Sequence, residues 1–102
     1  MKFGLLAKIE AKPEHADEIA ALLGSAGQLA RNEGYAKTWY AFQVDTTTFG
    51  VFDTFDDEQD RAGHLSGQIA AALTQLAEQN KLATALDIRP VDLLSTTSRS
   101  GA

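Results

Sequence analysis

The chain has 102 residues, 44% hydrophobic and 23% charged, with no cysteine. That length suits one domain with a single core. The composition excludes wholesale disorder, and the missing thiols exclude disulfides, thiolate chemistry, iron–sulfur clusters and cysteine-type zinc sites. Nine Lys and Arg against fourteen Asp and Glu give a formal charge of -5, and because the cations are scattered singly, neither nucleic acid nor an anionic membrane is an expected partner.

The opening Met1-Lys2-Phe3-Gly4-Leu5-Leu6-Ala7-Lys8 meets charge too soon for a secretory signal. No apolar run approaches the roughly twenty residues of a membrane span. With the absence of cysteine, the expectation is a cytoplasmic protein. Residues 3–10 alternate, Phe3, Leu5, Ala7 and Ile9 against Gly4, Leu6, Lys8 and Glu10, which is the period of a half-buried strand. Pro13 then opens a helix where its missing N–H costs nothing, with Glu14, Asp17 and Glu18 near the positive end of the helix dipole. Ile19, Leu22, Leu23, Ala26 and Leu29 fall on its apolar face, Gly24 and Gly27 read as a site of close helix packing, and Gly34 is the stop.

Residues 36–44 and 48–55 are rich in aromatic and β-branched side chains and are joined by Asp45-Thr46-Thr47, so they predict a hairpin. Both its faces are apolar. Tyr40, Phe42 and Val44 oppose Trp39 and Ala41, and Phe49 and Val51 oppose Phe52. Two helices cover only one face of a sheet, so a second copy of the chain is the simplest cover for the other. Which hairpin face meets the helices is open at this point. Asp56 or Asp57 caps a second helix, and Ser66-Gly67 interrupts it before a segment carrying Ile69, Ala72, Leu73 and Leu76 on one stripe. After the polar Glu78-Gln79-Asn80-Lys81, residues 87–94 read as a last strand in which Pro90 indicates an edge or a bulge. Residues 1–95 make the domain and 96–102 a flexible tail. The order β-α-β-β-α-β predicts an α+β, ferredoxin-like antiparallel sheet with both helices on one face.

The chemistry is narrowed first by what is missing. There is neither a G-x-G-x-x-G nor a G-x-x-x-x-G-K-[ST] loop, and no nucleophile on a strained turn. No H-x-x-x-H or His–carboxylate cluster is visible, since His15 and His64 sit on different elements, so no metal is expected. His64 remains. It follows Phe55 by nine residues, and a partly buried neutral imidazole beside aromatic rings is suited to deprotonating a phenol or enol. The alternative is a helix histidine that bonds a nearby carbonyl at the break. Trp39, Phe52 and Phe55 read either as walls of a flat pocket for a planar substrate or as sheet core and dimer filler. Asp53 reads as an exposed or strand-edge residue rather than a general acid, and Asp56-Asp57-Glu58 as helix capping.

Several segments together carry a resemblance. Leu6-Ala7-Lys8-Ile9-Glu10-Ala11-Lys12-Pro13, Thr38-Trp39-Tyr40-Ala41, Phe49-Gly50-Val51-Phe52-Asp53-Thr54-Phe55, His64 and Pro90-Val91-Asp92-Leu93-Leu94, in this element order, resemble the antibiotic biosynthesis monooxygenase family, quinol monooxygenases included. The likeness runs from Phe3 to about Ser95. It implies a dimeric α+β barrel in which two ferredoxin-like subunits pack sheet against sheet, and a monooxygenase that oxidises phenolic or quinol-type aromatics with molecular oxygen and without cofactor. His64 would then be the base or the orienting donor to the substrate oxygen, with Trp39, Phe52, Phe55 and Leu65 as the pocket. Many relatives have Trp where this chain has Phe55. A haem-degrading branch uses a histidine later in the second helix, where Ile69 to Lys81 has none, so haem is not expected. A non-catalytic dimeric module that binds a small ligand on the same fold is the other reading.

Overall fold

The structure is a computed structural model and describes residues 2–97. Strand β1 (Phe3–Glu10) leads through a single 3₁₀ turn at Pro13–His15 into helix α1 (Ala16–Glu33). Strands β2 (Thr38–Gln43) and β3 (Thr48–Phe55) form the hairpin, and helices α2 (Glu58–Leu65) and α3 (Gln68–Glu78) precede β4 (Asp87–Asp92). The sheet is antiparallel in the order β2-β3-β1-β4, which is the ferredoxin-like arrangement. The flexible tail expected over 96–102 falls, from residue 98 on, outside the described residues. Among the described residues no helix is long and apolar enough to cross a membrane.

Local chemistry accounts for the element ends. Pro13 opens a 3₁₀ turn rather than the α-helix itself. At the far end Gly34 adopts the left-handed φ of 75° and returns its N–H to the Ala30 carbonyl, as a helix stop requires. Asp57 is the cap of α2, its carboxylate accepting the Asp60 N–H at 2.8 Å. The hairpin turn is held by Asp45, whose Oδ1 accepts from the backbone N–H of Thr47 at 3.0 Å and of Thr48 at 2.9 Å. Pro90 sits in β4, an edge strand, where its missing donor leaves no ladder bond unmade.

Register settles the two-faced hairpin. Leu5, Asp53 and Trp39 lie opposite one another in one row, and Ala7, Val51 and Ala41 in the next but one, all on the side the helices cover. The core there joins Ile9, Phe49, Val51 and Ala7 to Ile19 and Leu23 of α1 and Leu73 and Leu76 of α3. Two details of the helix stripe differ from the periodicity. Leu29 points out, 38% exposed, and Ala30 takes the inner position, because the row through Ile19, Leu23 and Ala26 continues at i+4 rather than i+3. Gly27 lies against the Trp39 ring, with 3.6 Å left for a Cβ, but Gly24 faces open space and packs nothing.

The opposite face of the sheet carries Leu6, Phe52, Tyr40, Phe42 and Val91, and among the described residues no element lies over it. Tyr40 is 58% and Phe42 42% exposed.

Candidate functional site

Three elements converge on one buried ionisable cluster. β3 runs Val51, Asp53, Phe55 in its inward phase, so Asp53 is carried beneath the helices with the apolar residues and is only 1% exposed. α2 begins just after β3, and its last turn brings His64 over that strand. Arg61, one turn earlier, ties α2 to the sheet by donating to the carbonyls of Gly4 and Val91 and by lying over the Phe3 ring at 5.2 Å. The helix stops at Ser66-Gly67, as the sequence predicts, and α3 restarts at Gln68. Glu33, the last residue of α1, reaches into this break.

The result is a hydrogen-bonded chain. His64 Nε2 lies 2.8 Å from Asp53 Oδ2, and His64 Nδ1 lies 2.9 Å from Glu33 Oε1. The second oxygen of Glu33 accepts the backbone N–H of Gln68 at 2.8 Å and so caps α3 from another helix. Gly67 makes this possible, since a Cβ there would collide with the Glu33 carboxylate. The Phe55 ring, fully buried, is tilted at 46° to the imidazole with centroids 5.5 Å apart. Side-chain exposure rises along the chain, from 2% at Asp53 to 7% at His64 and 12% at Glu33.

The proton count follows from the geometry. A neutral imidazole has one N–H and one lone pair, so it can satisfy only one of two carboxylates, whereas the imidazolium donates to both. Burial is the largest influence on His64 and pushes it toward the neutral form. The hydrogen bond and charge of Asp53, and then those of Glu33, outweigh it, so the imidazole holds its proton above its ordinary pKa.

Beside this cluster is a cleft with about 30 Å³ of open space. Its floor is Leu5, Ala7, Val51, Ile69 and Leu73, and its rim is formed by the more exposed Leu65, Ala70 and Ile88. Such a volume accepts a water or a hydroxyl group but no aromatic ring. Among the described residues, the only polar side chains in its lining are Asp53 and His64. Both ring nitrogens of His64 are engaged, and Asp53 Oδ1 is buried without a hydrogen-bond partner. Among the described residues no group of His, Asp and Glu is arranged to hold a metal ion. Here the two carboxylates lie on opposite sides of the ring rather than converging on one point.

The expected site residues therefore separate. His64 and Leu65 line the cleft, and Phe55 backs the imidazole without lining it. Trp39 flanks Asp53 on the β2 side and packs toward Gly27 of α1, away from the cleft, with its indole N–H buried and unpaired. Phe52 is not part of this site, because strand alternation turns it to the opposite face beside Gly4 and Val91. The expectation that no His–carboxylate cluster exists is overturned, as is the reading of Asp53 as exposed or at a strand edge. β3 is an interior strand, paired on both sides. Asp53 had a signal in the sequence, being the charged residue in the phase of Phe49, Val51 and Phe55. Glu33 had none, since its role depends on where α1 ends relative to the α2–α3 break.

No protein-family model matches the chain, and no curated protein matches it. Solved structures do. NE2512, a Nitrosomonas europaea protein of unknown function, is 41% identical, with a TM-score of 0.88 over 98% of this chain and 96% of its own. A Deinococcus radiodurans protein named as a candidate antibiotic biosynthesis monooxygenase is 20% identical, with a TM-score of 0.77 over 97% of this chain and 99% of its own. A Caulobacter crescentus protein named in the same way is 18% identical, with a TM-score of 0.73 over 92% and 91%. These two establish a shared fold. At 41% identity over nearly its full length, the chain belongs to one family with the Nitrosomonas europaea protein NE2512, a family with the antibiotic biosynthesis monooxygenase fold.

Proposed function

We propose that the protein is a cofactor-independent monooxygenase that oxidises a phenolic or quinol-type aromatic with molecular oxygen, using the acid/base cluster centred on His64. The observation that carries this reading is the buried Asp53–His64–Glu33 chain ending at an apolar, hydroxyl-sized cleft. A phenol seats its hydroxyl in the cleft and rests its ring at the rim, against Leu65 and Ile88. Loss of the O–H proton to the cluster makes an electron-rich phenolate, and its para carbon reacts with oxygen. For a phenol with hydrogen at that carbon the balance is HO–Ar–H plus O₂ giving O=Ar=O plus H₂O, the substrate supplying all four electrons. An apolar surround favours this step by keeping water from competing for the phenolate.

The uncovered sheet face supports a homodimer. Leu6, Tyr40, Phe42, Phe52 and Val91 form an aromatic and aliphatic surface on the side away from the helices, and a second copy buries it sheet to sheet. Trp39 and Phe52 then act in the dimer and the core rather than on the substrate.

Oxygen uptake with a panel of hydroquinones and anthrones, aerobic against anaerobic, tests the activity. Turnover should fall at least a hundredfold in His64→Gln, and no oxygen-dependent turnover above that variant across the panel would overturn the reading. A second reading is a dimeric module that binds a small hydroxylated ligand without transforming it. The observation in its favour is that neither ring nitrogen of His64 is free. Stoichiometric binding of a phenol recovered unchanged in air would select it.

A further inference from the structure

Histidine is the obvious base in this site, yet its geometry leaves it nothing to receive a proton with. Nε2 is engaged by Asp53 at 2.8 Å and Nδ1 by Glu33 at 2.9 Å. Among the side-chain polar atoms of the two polar residues that line the cleft, Asp53 Oδ1 alone has no hydrogen-bond partner, and it is buried. A buried, unpaired carboxylate oxygen has lost its hydration with no hydrogen bond to offset the loss. A donor from a ligand makes up that loss, and a hydroxyl is the donor whose size fits.

Resting on the monooxygenase reading above, we infer that Asp53 is the catalytic residue that meets the substrate hydroxyl and takes its proton on Oδ1, while His64 and Glu33 are positioning residues that hold the carboxylate in place. The O–H bond of the phenol breaks, its electron pair stays on the phenolate, and the proton forms an O–H bond with Asp53. When oxygen has added at the para carbon, the same proton passes to the peroxide oxygen. Cleavage of the O–O bond with loss of the ring C–H proton then gives the quinone carbonyl and water, and Asp53 is again a carboxylate. No other oxidant or reductant is required.

The arrangement of the other two residues follows from what this step needs. At 1% exposure the Asp53 carboxylate needs a compensating charge beside it. The imidazolium supplies the compensating charge through Oδ2 and leaves Oδ1 free. Glu33 fixes the ring orientation through Nδ1 and is itself anchored by the Gln68 N–H, so the proton-accepting oxygen is held by a chain of three bonds ending on the backbone of α3. The chain also leads outward, from the most buried member to the most exposed, which gives the cluster a route for exchanging protons with solvent.

Asp53→Asn, His64→Gln and Glu33→Gln separate these roles, with 4-nitrophenol as the probe because its colour reports whether the bound phenol is ionised. The wild-type protein should bind 4-nitrophenol as the phenolate, with no proton released to the medium. Asp53→Asn should bind it as the neutral phenol and lose oxygen-dependent turnover by about 10²–10⁴-fold with KM changed little. Glu33→Gln should retain bound phenolate and shift the pH profile of turnover downward, because the imidazolium keeps one carboxylate instead of two. Bound phenolate in Asp53→Asn equal to the wild type, or no binding of 4-nitrophenol by the wild type, would overturn the assignment of Asp53. Wild-type protein that ionises the probe but consumes no oxygen with any substrate of the panel would overturn the monooxygenase reading and leave the assignment of the proton acceptor standing.

Discussion

Glu33 offers the most direct measure of what the buried cluster contributes to the fold. In Glu33→Ala a charge-assisted hydrogen bond to His64 is lost, about 1.5–3 kcal/mol, together with the cap of α3, about 1 kcal/mol. Against this, removing a carboxylate from the C-terminal end of α1 relieves an unfavourable interaction with the helix dipole of about 0.3–1 kcal/mol. The net loss expected is about 1.5–3.7 kcal/mol, which at this chain length lowers Tm by roughly 6–30 °C. Glu33→Gln keeps an acceptor for the Gln68 N–H and isolates the charge, for an expected loss of about 1–2.5 kcal/mol. The pH dependence has a definite sign. Because the fold raises the pKa of His64, the imidazolium contribution is complete below the unfolded value near 6.5 and disappears as pH rises through the higher folded value. Urea unfolding of wild type and Glu33→Gln at a series of pH values from about 6 to 9.5 should therefore show a stability gap that is widest at the acid end and narrows upward. A gap under about 0.5 kcal/mol at pH 6, or one that does not change with pH, would refute the charge-assisted chain.

Gly67→Ala should reproduce the Glu33→Ala behaviour, because the new Cβ displaces the Glu33 carboxylate from both the Gln68 N–H and His64. The two substitutions combined should cost clearly less than the sum of their separate effects in a urea double-mutant cycle. Asp57→Ala should cost about 1 kcal/mol with no change in the pH dependence, since it removes only the cap of α2, as thermal unfolding at two pH values will show. Phe42→Asp, on the uncovered sheet face, should convert a dimer at micromolar concentration to a monomer by sedimentation while leaving the fold intact by circular dichroism, and a wild type already monomeric there would refute the sheet-to-sheet dimer.

Periodicity made most of the architecture legible. The strand at Phe3–Glu10, the hairpin, the helix break at Ser66-Gly67 and the edge proline at 90 each follow from a local rule, and the element order then leaves few topologies. The candidate site was only half legible for a related reason. His64 could be singled out because the chain has only two histidines, but its partners are set by register and by helix length, which no local rule supplies. Asp53 faces inward because β3 keeps one phase from Phe49 to Phe55, and reading that phase through the charged residue would have placed it in the core. Phe52, chosen for its aromatic ring, stands one residue out of phase and so lies on the other side of the sheet. In β3 alternation, not residue type, decides which face a side chain takes.

The cluster's charge connects fold and chemistry. With His64 protonated and both carboxylates ionised, the buried group carries one net negative charge, an arrangement that costs desolvation energy and is retained only if each charge has its partners. Two of the four carboxylate oxygens are on the imidazolium and a third is on the Gln68 N–H, leaving Asp53 Oδ1 as the deficit. A hydroxyl ligand fills that deficit, and if its proton crosses to Asp53 the protein cluster becomes neutral while the phenolate takes over the negative charge. The charge stays close to the imidazolium throughout, so the step moves charge over a short distance and requires little rearrangement of its surroundings. An isolated histidine would instead create a new buried ion pair from two neutral groups. Placing the proton acceptor on the carboxylate, with the imidazolium behind it, is therefore the arrangement in which an apolar cleft helps the transfer instead of opposing it.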